Sequence, residues 1–203
     1  MTLTAYHNSA AEKESILAQL RAHYDADEIV KGQYWEDGKG CAVGCAIHSS
    51  NHMAYEDQFG IPVMLARLED TIFEGLPSDE AKEWPLRFMG AIAPGADLSR
   101  VGWQFLHWLL TDEAVNPGIN HPLVKDAVKR CADMLVPLTK GEPIDVSAAM
   151  SAVSAAESAV SAAESAMSAM SAVSAARSAA YSRMSEKLIE LLKHAPLFAE
   201  VTG

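Results

Sequence analysis

The chain is short of cysteine, of basic clusters and of long apolar runs, and each shortage removes a class of protein. Cys41, Cys45 and Cys131 are too few, and odd in number, for a disulfide framework in 203 residues, so the thiols are expected to be reduced. No stretch approaches the roughly 18 uninterrupted apolar residues of a membrane span, and a soluble protein is predicted. MTLTAYHNSAAEKES has no basic segment followed by an apolar run, so no signal peptide is expected and the cytoplasm is the default compartment. GKG at 38–40 is too short for a phosphate-cradling loop, and no G-x-G-x-x-G occurs.

Positive charge is scarce as well. Lys and Arg number 16 against 27 Asp and Glu, a net charge of −11. The excess sits in residues 1–146, with 22 acidic and 12 basic side chains, whereas 147–203 hold 5 and 4. A field of that sign repels phosphate backbones and argues against direct nucleic-acid binding. It would attract a basic protein partner, or simply keep the chain in solution.

What is present is mostly helical patterning. Ser9 to Glu12 form a capping box, and Ile16, Leu17 and Leu20 follow at helical spacing, which predicts a helix from about 10 to the mid-twenties. QYWEDGKGCAVGC breaks that period, and its Asp37-Gly38 step reads as a turn or a small hairpin near 33–45. Pro62 is placed as a first helical residue before the stripe Leu65, Leu68 and Ile72, which Gly75 and Pro77 end. A third helix starts at Ser78 and should break or kink at Pro85. Asp97 can cap a fourth, LSRVGWQFLHWLL, and NPG at 116–118 is a turn. Pro122 opens a fifth, with the stripe Val124, Val128, Cys131 and Leu135, expected to stop near Pro137. The predicted fold is all-α with room for that one hairpin: an acidic helical domain over 1–144, a Ser/Ala heptad helix over 145–195, and a short tail over 196–203.

SAVSAAESAVSAAE at 151–164 is one heptad written twice. No Gly or Pro lies between Pro143 and Pro196, and Ala is the best helix former. Some 48 residues of continuous helix would run roughly 70 Å, too far to bury one face on the preceding domain. Ser151, Ser154 and Glu157 share the solvent side. Val153, Ala156, Val160, Ala163, Met167, Met170, Val173 and Ala176 form the opposite seam, which Met184, Leu188 and Leu191 continue. Ten Ser-to-Ser steps span the 35 residues from Ser147 to Ser182, the coiled-coil period. Either a homodimer or a helix folded back on itself satisfies this pattern, and the dimer is the preferred reading.

One cluster carries metal-ligand residue types. GKGCAVGCAIHSSNH spaces Cys41, Cys45, His48 and His52 as C-x3-C-x2-H-x3-H. A helix would set its ends about 16 Å apart, so only a loop could gather all four on a zinc ion. The alternative makes Cys41, Val43 and Cys45 small core residues beneath a turn, with the histidines near the surface. A thiol activated by His48 is a further reading, though nothing supplies an oxyanion element. Trp103, His107 and Trp108 on the fourth helix would be partner contacts if exposed, and core if not. Adjacent acids such as Glu69 with Asp70, and Asp79 with Glu80, diverge around a helix and read as solvated faces, so no catalytic pair is assigned.

GQYWEDGKGCAVGCAI, FGIPVMLARLEDTIFEGLP and the Ala-rich tail ending in EKLIELLK together resemble a group of phage and prophage proteins to which no activity is assigned. The resemblance covers about half the chain and carries over no catalytic residue. It implies a bacterial cytoplasm during infection or lysogeny, and an accessory or anti-defence factor that acts by binding a host or phage protein. Binding, with self-association through the C-terminal helix and no cofactor, is the expected function. A zinc protein or enzyme built on Cys41, Cys45, His48 and His52 is the alternative, and a purely structural spacer is the third reading.

Overall fold

The computed structural model describes residues 3–116, 119, 125–142 and 174–198. These residues form a mainly helical protein with one two-stranded antiparallel hairpin. The chain divides into two compact units, residues 1–102 with 185–203, and residues 103–184. No helix among the described residues is long and apolar enough to cross a membrane.

The first unit begins with a tight turn at Ala5–Asn8, in which Tyr6, His7 and Asn8 all have positive φ. Asn tolerates the left-handed region but a bulky Tyr does not, so neighbouring contacts must hold Tyr6 there. Tyr6 is fully buried and its hydroxyl donates to the Met89 carbonyl at 2.7 Å. Helix α1 follows at Ala10–Asp25, with the Ser9 side chain accepting from the Glu12 amide as the capping box requires. The hairpin consists of β1, Trp35–Glu36, and β2, Lys39–Gly40. Asp37 and Gly38 have φ of 51° and 80°, the signature of a type I′ turn. Helix α2 is Ala42–Ile47, α3 is Ala54–Phe59, α4 is Val63–Gly75 and α5 is Ser78–Ala91. Helix α1 packs on α5 and α2, and α4 on α2, α3 and α5.

Trp84, Tyr55, Phe73 and Phe88 are fully buried at the centre of this unit. Each such side chain contributes roughly 1.5–3 kcal/mol of burial free energy. Of the expected break or kink at Pro85, the break does not occur, since α5 continues through it. The ring costs one helix hydrogen bond, but Ala81, Trp84, Pro85, Phe88 and Met89 are all buried, and that packing offsets the local penalty.

Helix α6, Val101–Thr111, α7, Lys125–Lys140, and α8, Ser174–Lys193, complete the described elements. In the second unit Leu110, Val128, Cys131, Ala132 and Leu135 form a cluster with Trp103, Leu106, Ile119 and Leu138 packed against it. Cys131 is thus a core residue. Helix α7, expected to stop near Pro137, ends at Lys140, three residues beyond it. Its real terminator is Gly141, with φ of 75°. The Glu142 amide bonds the Pro137 carbonyl and the Gly141 amide bonds that of Leu138, a Schellman arrangement. Arg183 pairs with Asp112 at 2.9 Å in this unit.

The later part of α8 belongs to the first unit, where Leu188, Ile189 and Leu192 are buried and Arg87 pairs with Glu186. Leu188 therefore cannot extend an open self-association seam, because its side chain is already covered. Pro196 and Leu197 are likewise tied down: Leu197 bridges Ala96, and the Asp97 amide bonds the Pro196 carbonyl at 2.7 Å. The predicted 144/145 boundary, the Pro122 helix start, Pro117 and Gly118 of the NPG turn, and the seam residues Val153, Ala156, Val160, Ala163, Met167, Met170 and Val173 lie outside the described residues. Ala176, the last of the seam, is exposed on α8.

Candidate functional site: a histidine and aromatic face around the hairpin

The hairpin rests on a backbone approach that excludes side chains. A Cβ on Gly44 would lie 1.4 Å from the Tyr34 carbonyl oxygen, and one on Gly40 would lie 2.0 Å from it. The glycines of GKGCAVGC thus let the first turn of α2 slide beneath the strand. The Gly40 amide bonds the Glu28 carbonyl, its own carbonyl accepts from Val30, and the Cys41 amide bonds the Gln33 carbonyl.

This docking buries both thiols. Cys41 caps α2, its Sγ accepting from the Gly44 amide at 3.4 Å, and Cys45 Sγ donates to the Gly40 carbonyl at 3.3 Å. Burial pushes the Cys41 thiol up and the Cys45 thiol up to about 12. Neither is a thiolate near neutrality, so neither is an activated nucleophile. The reading of these residues as small core groups beneath a turn describes their environment.

Tyr34 and Trp35 each meet a different histidine. Trp35 stacks on His48 with centroids 4.3 Å apart and 25° between planes, and His23 meets both rings edge-on. His48 ends α2 in the left-handed region, φ 49°. His23, in the last turn of α1, bonds Glu28 Oε2 through Nδ1 at 2.6 Å, and its Nε2 lies 3.0 Å from His48 Nε2. Because Glu28 can only accept, the neutral His23 carries its proton on Nδ1 and accepts at Nε2, so His48 donates from Nε2. Burial, and then the neighbouring His23, hold the His48 pKa below its ordinary value. Gln19 Nε2 donates to the Cys45 and Ala46 carbonyls at 2.7 and 2.9 Å, satisfying carbonyls at the end of α2.

On the other side, Tyr34 meets His52 edge-on at 5.6 Å, and His52 Nε2 lies 3.3 Å from Asp70 Oδ2 on α4. Asp70, then burial, raises the Tyr34 hydroxyl pKa, and Glu74 adds to the effect. Tyr34 is 44% exposed and Met53, next to His52, is 59% exposed. The four residues of the C-x3-C-x2-H-x3-H string are thus drawn to different neighbours. Among the described residues no three His, Cys, Asp or Glu side chains are grouped to hold a metal ion.

Trp103, His107 and Trp108 are half-buried. Trp103 packs on the α6–α7 cluster, and the Trp108 ring lies 5.7 Å from that of Phe105. Sequence reasoning missed His23, Glu28 and Asp70 as members of the face, and it took Glu69 for a solvated residue. Glu69 is fully buried: Tyr55 donates to its Oε2 at 2.6 Å, Oε1 has no hydrogen-bond partner, and Trp84 Nε1 donates to its backbone carbonyl. The signal for Glu69 lay in its position, four residues after Leu65 and three before Ile72 on the apolar stripe. No known protein family, curated protein or solved structure matches the chain.

Proposed function

We propose that this is a non-enzymatic accessory protein that binds a basic partner protein through the hairpin face and self-associates through its Ser/Ala helix. The observation carrying the first part is the exposure of Tyr34, whose ring meets His52 edge-on, and of Met53, the residue that follows His52 in the chain. Of the four large apolar side chains exposed among the described residues, one touches His52 and another is its neighbour in sequence. Tyr and Met are enriched where proteins meet. The carboxylates of Asp70 and Glu74 beside Tyr34 favour a cationic partner. The resemblance to phage and prophage proteins supports an accessory or anti-defence role by binding in a bacterial cytoplasm. The neutral, buried thiols weigh against the nucleophilic alternative.

Replacing Tyr34 and Met53 together by Ala should weaken binding of that partner by about 100-fold, on the order of two hot-spot contacts, while Met134→Ala, on α7, should leave it unchanged. Equal binding by all three proteins in a titration would remove the hairpin face from the account.

Self-association rests on the 3.5-residue Ser period and the small, apolar seam. Ala163→Glu places a charge in that seam and should shift a dimer to monomer in native mass spectrometry, whereas Ser161→Glu on the solvent side should not. A monomeric wild type, or loss caused only by the Ser161 change, would contradict the assignment of faces.

A further inference from the structure

We propose that His23 and His48 form a binding site for one divalent transition-metal ion, held through the two Nε2 atoms. These nitrogens converge at 3.0 Å. Two imidazole nitrogens on one ion, with bonds of about 2.0–2.1 Å, sit roughly 2.9–3.4 Å apart for angles from square to tetrahedral. The pair therefore already has the spacing of adjacent ligands, and each ring turns off the line joining the two nitrogens to aim its lone pair at the ion.

Both rings are held from behind. Glu28 accepts from His23 Nδ1 at 2.6 Å, the carboxylate–histidine arrangement that fixes a ligand's tautomer and raises its basicity. Trp35 covers the face of His48, and the backbone of that residue is fixed as the cap of α2. Entry of the ion moves the His48 proton from Nε2 to Nδ1, so both Nε2 lone pairs face the metal and no proton is released.

The donor set differs from the Cys41, Cys45, His48 and His52 string, since both thiols are protonated and hydrogen-bonded inside the core. No third His, Cys, Asp or Glu joins the pair among the described residues. Water fills the remaining positions, affinity is modest, and Cu(II) binds ahead of Ni(II) and Zn(II).

The test is a titration of the full chain, stripped with chelator, with copper(II) chloride. Tryptophan fluorescence reads the ion beside Trp35, and electron paramagnetic resonance counts the ligating nitrogens. One saturable site with two nitrogen ligands is expected. His23→Gln and His48→Asn should each weaken it by at least about 100-fold and Glu28→Gln by about 10-fold, while His52→Gln leaves it unchanged. Asn tolerates the left-handed backbone at position 48, and far-UV circular dichroism checks that each variant is folded. A pair that is only hydrogen-bonded gives no saturable site. That result, or binding that survives in folded His48→Asn, or loss in His52→Gln, overturns the proposal.

Discussion

Replacing Glu69 by Gln should abolish a fall in stability that the wild type shows between about pH 4.5 and pH 8. Burial lifts this carboxyl from its ordinary value of 4.5 to about 8. The Tyr55 hydroxyl pulls the other way and Asp70 adds a smaller upward push. Below the lower value the folded and unfolded chains both hold the proton, and stability does not depend on this group. Between the two values only the folded chain holds it, so each pH unit removes about 1.4 kcal/mol. Above the upper value the loss is complete, on the order of 5 kcal/mol. Gln keeps the shape and cannot ionise. Urea midpoints from pH 4 to pH 9 should therefore converge or favour the wild type in acid, and favour Glu69→Gln increasingly as pH rises. Parallel curves for the two proteins would mean that Glu69 is ionised in the fold, which its unpartnered Oε1 makes costly.

Gly44→Ala is expected to destabilise the first unit by about 3 kcal/mol, the upper end of ordinary overpacking. Helix propensity points the other way, since Ala in place of Gly inside a helix is worth up to about 1 kcal/mol. Space decides the sign. The new methyl would fall 1.4 Å from the Tyr34 oxygen and 2.5 Å from its carbonyl carbon, both backbone atoms held by the hairpin. Gly38→Asn is the control, because nothing lies within 4 Å of that Cβ and Asn accepts the turn's positive φ. Its cost should stay below about 1 kcal/mol. Thermal unfolding of both variants checks the contrast, and a Gly44→Ala protein as stable as the wild type would show that α2 does not press against the strand.

These two positions also show what could be read before the structure. The Ser9 capping box, the Asp37-Gly38 turn and the Pro62 helix start are local signals, and the structure answers each within a residue or so: α1 begins at Ala10, the hairpin turns at 37–38, and α4 begins at Val63. Pro85 does not break α5, because the local rule weighs one lost hydrogen bond and leaves out the burial of Trp84, Phe88 and Met89 around it, and α7 ends three residues after Pro137. The histidine face was only half legible. His48 and His52 stood out by their spacing from the cysteines, but His23 comes from 25 residues upstream and Asp70 from 18 downstream. Nothing periodic links those positions, so only the docking of α2 beneath the hairpin brings them together. Glu69 is the reverse case. Its place on the apolar stripe was visible, and its charge argued against burial until Tyr55 supplied a partner and the raised pKa removed the charge.

The most direct test of the proposed function is photo-crosslinking from position 34 in the protein's native cells, with a benzophenone amino acid in place of Tyr34. The same probe at Met134 serves as the control. Because Tyr34 is exposed beside His52 and the surrounding carboxylates, a discrete cross-link to one basic protein is expected from position 34 and not from 134. No cross-link from position 34, or the same products from both positions, would contradict a binding function centred on the hairpin face.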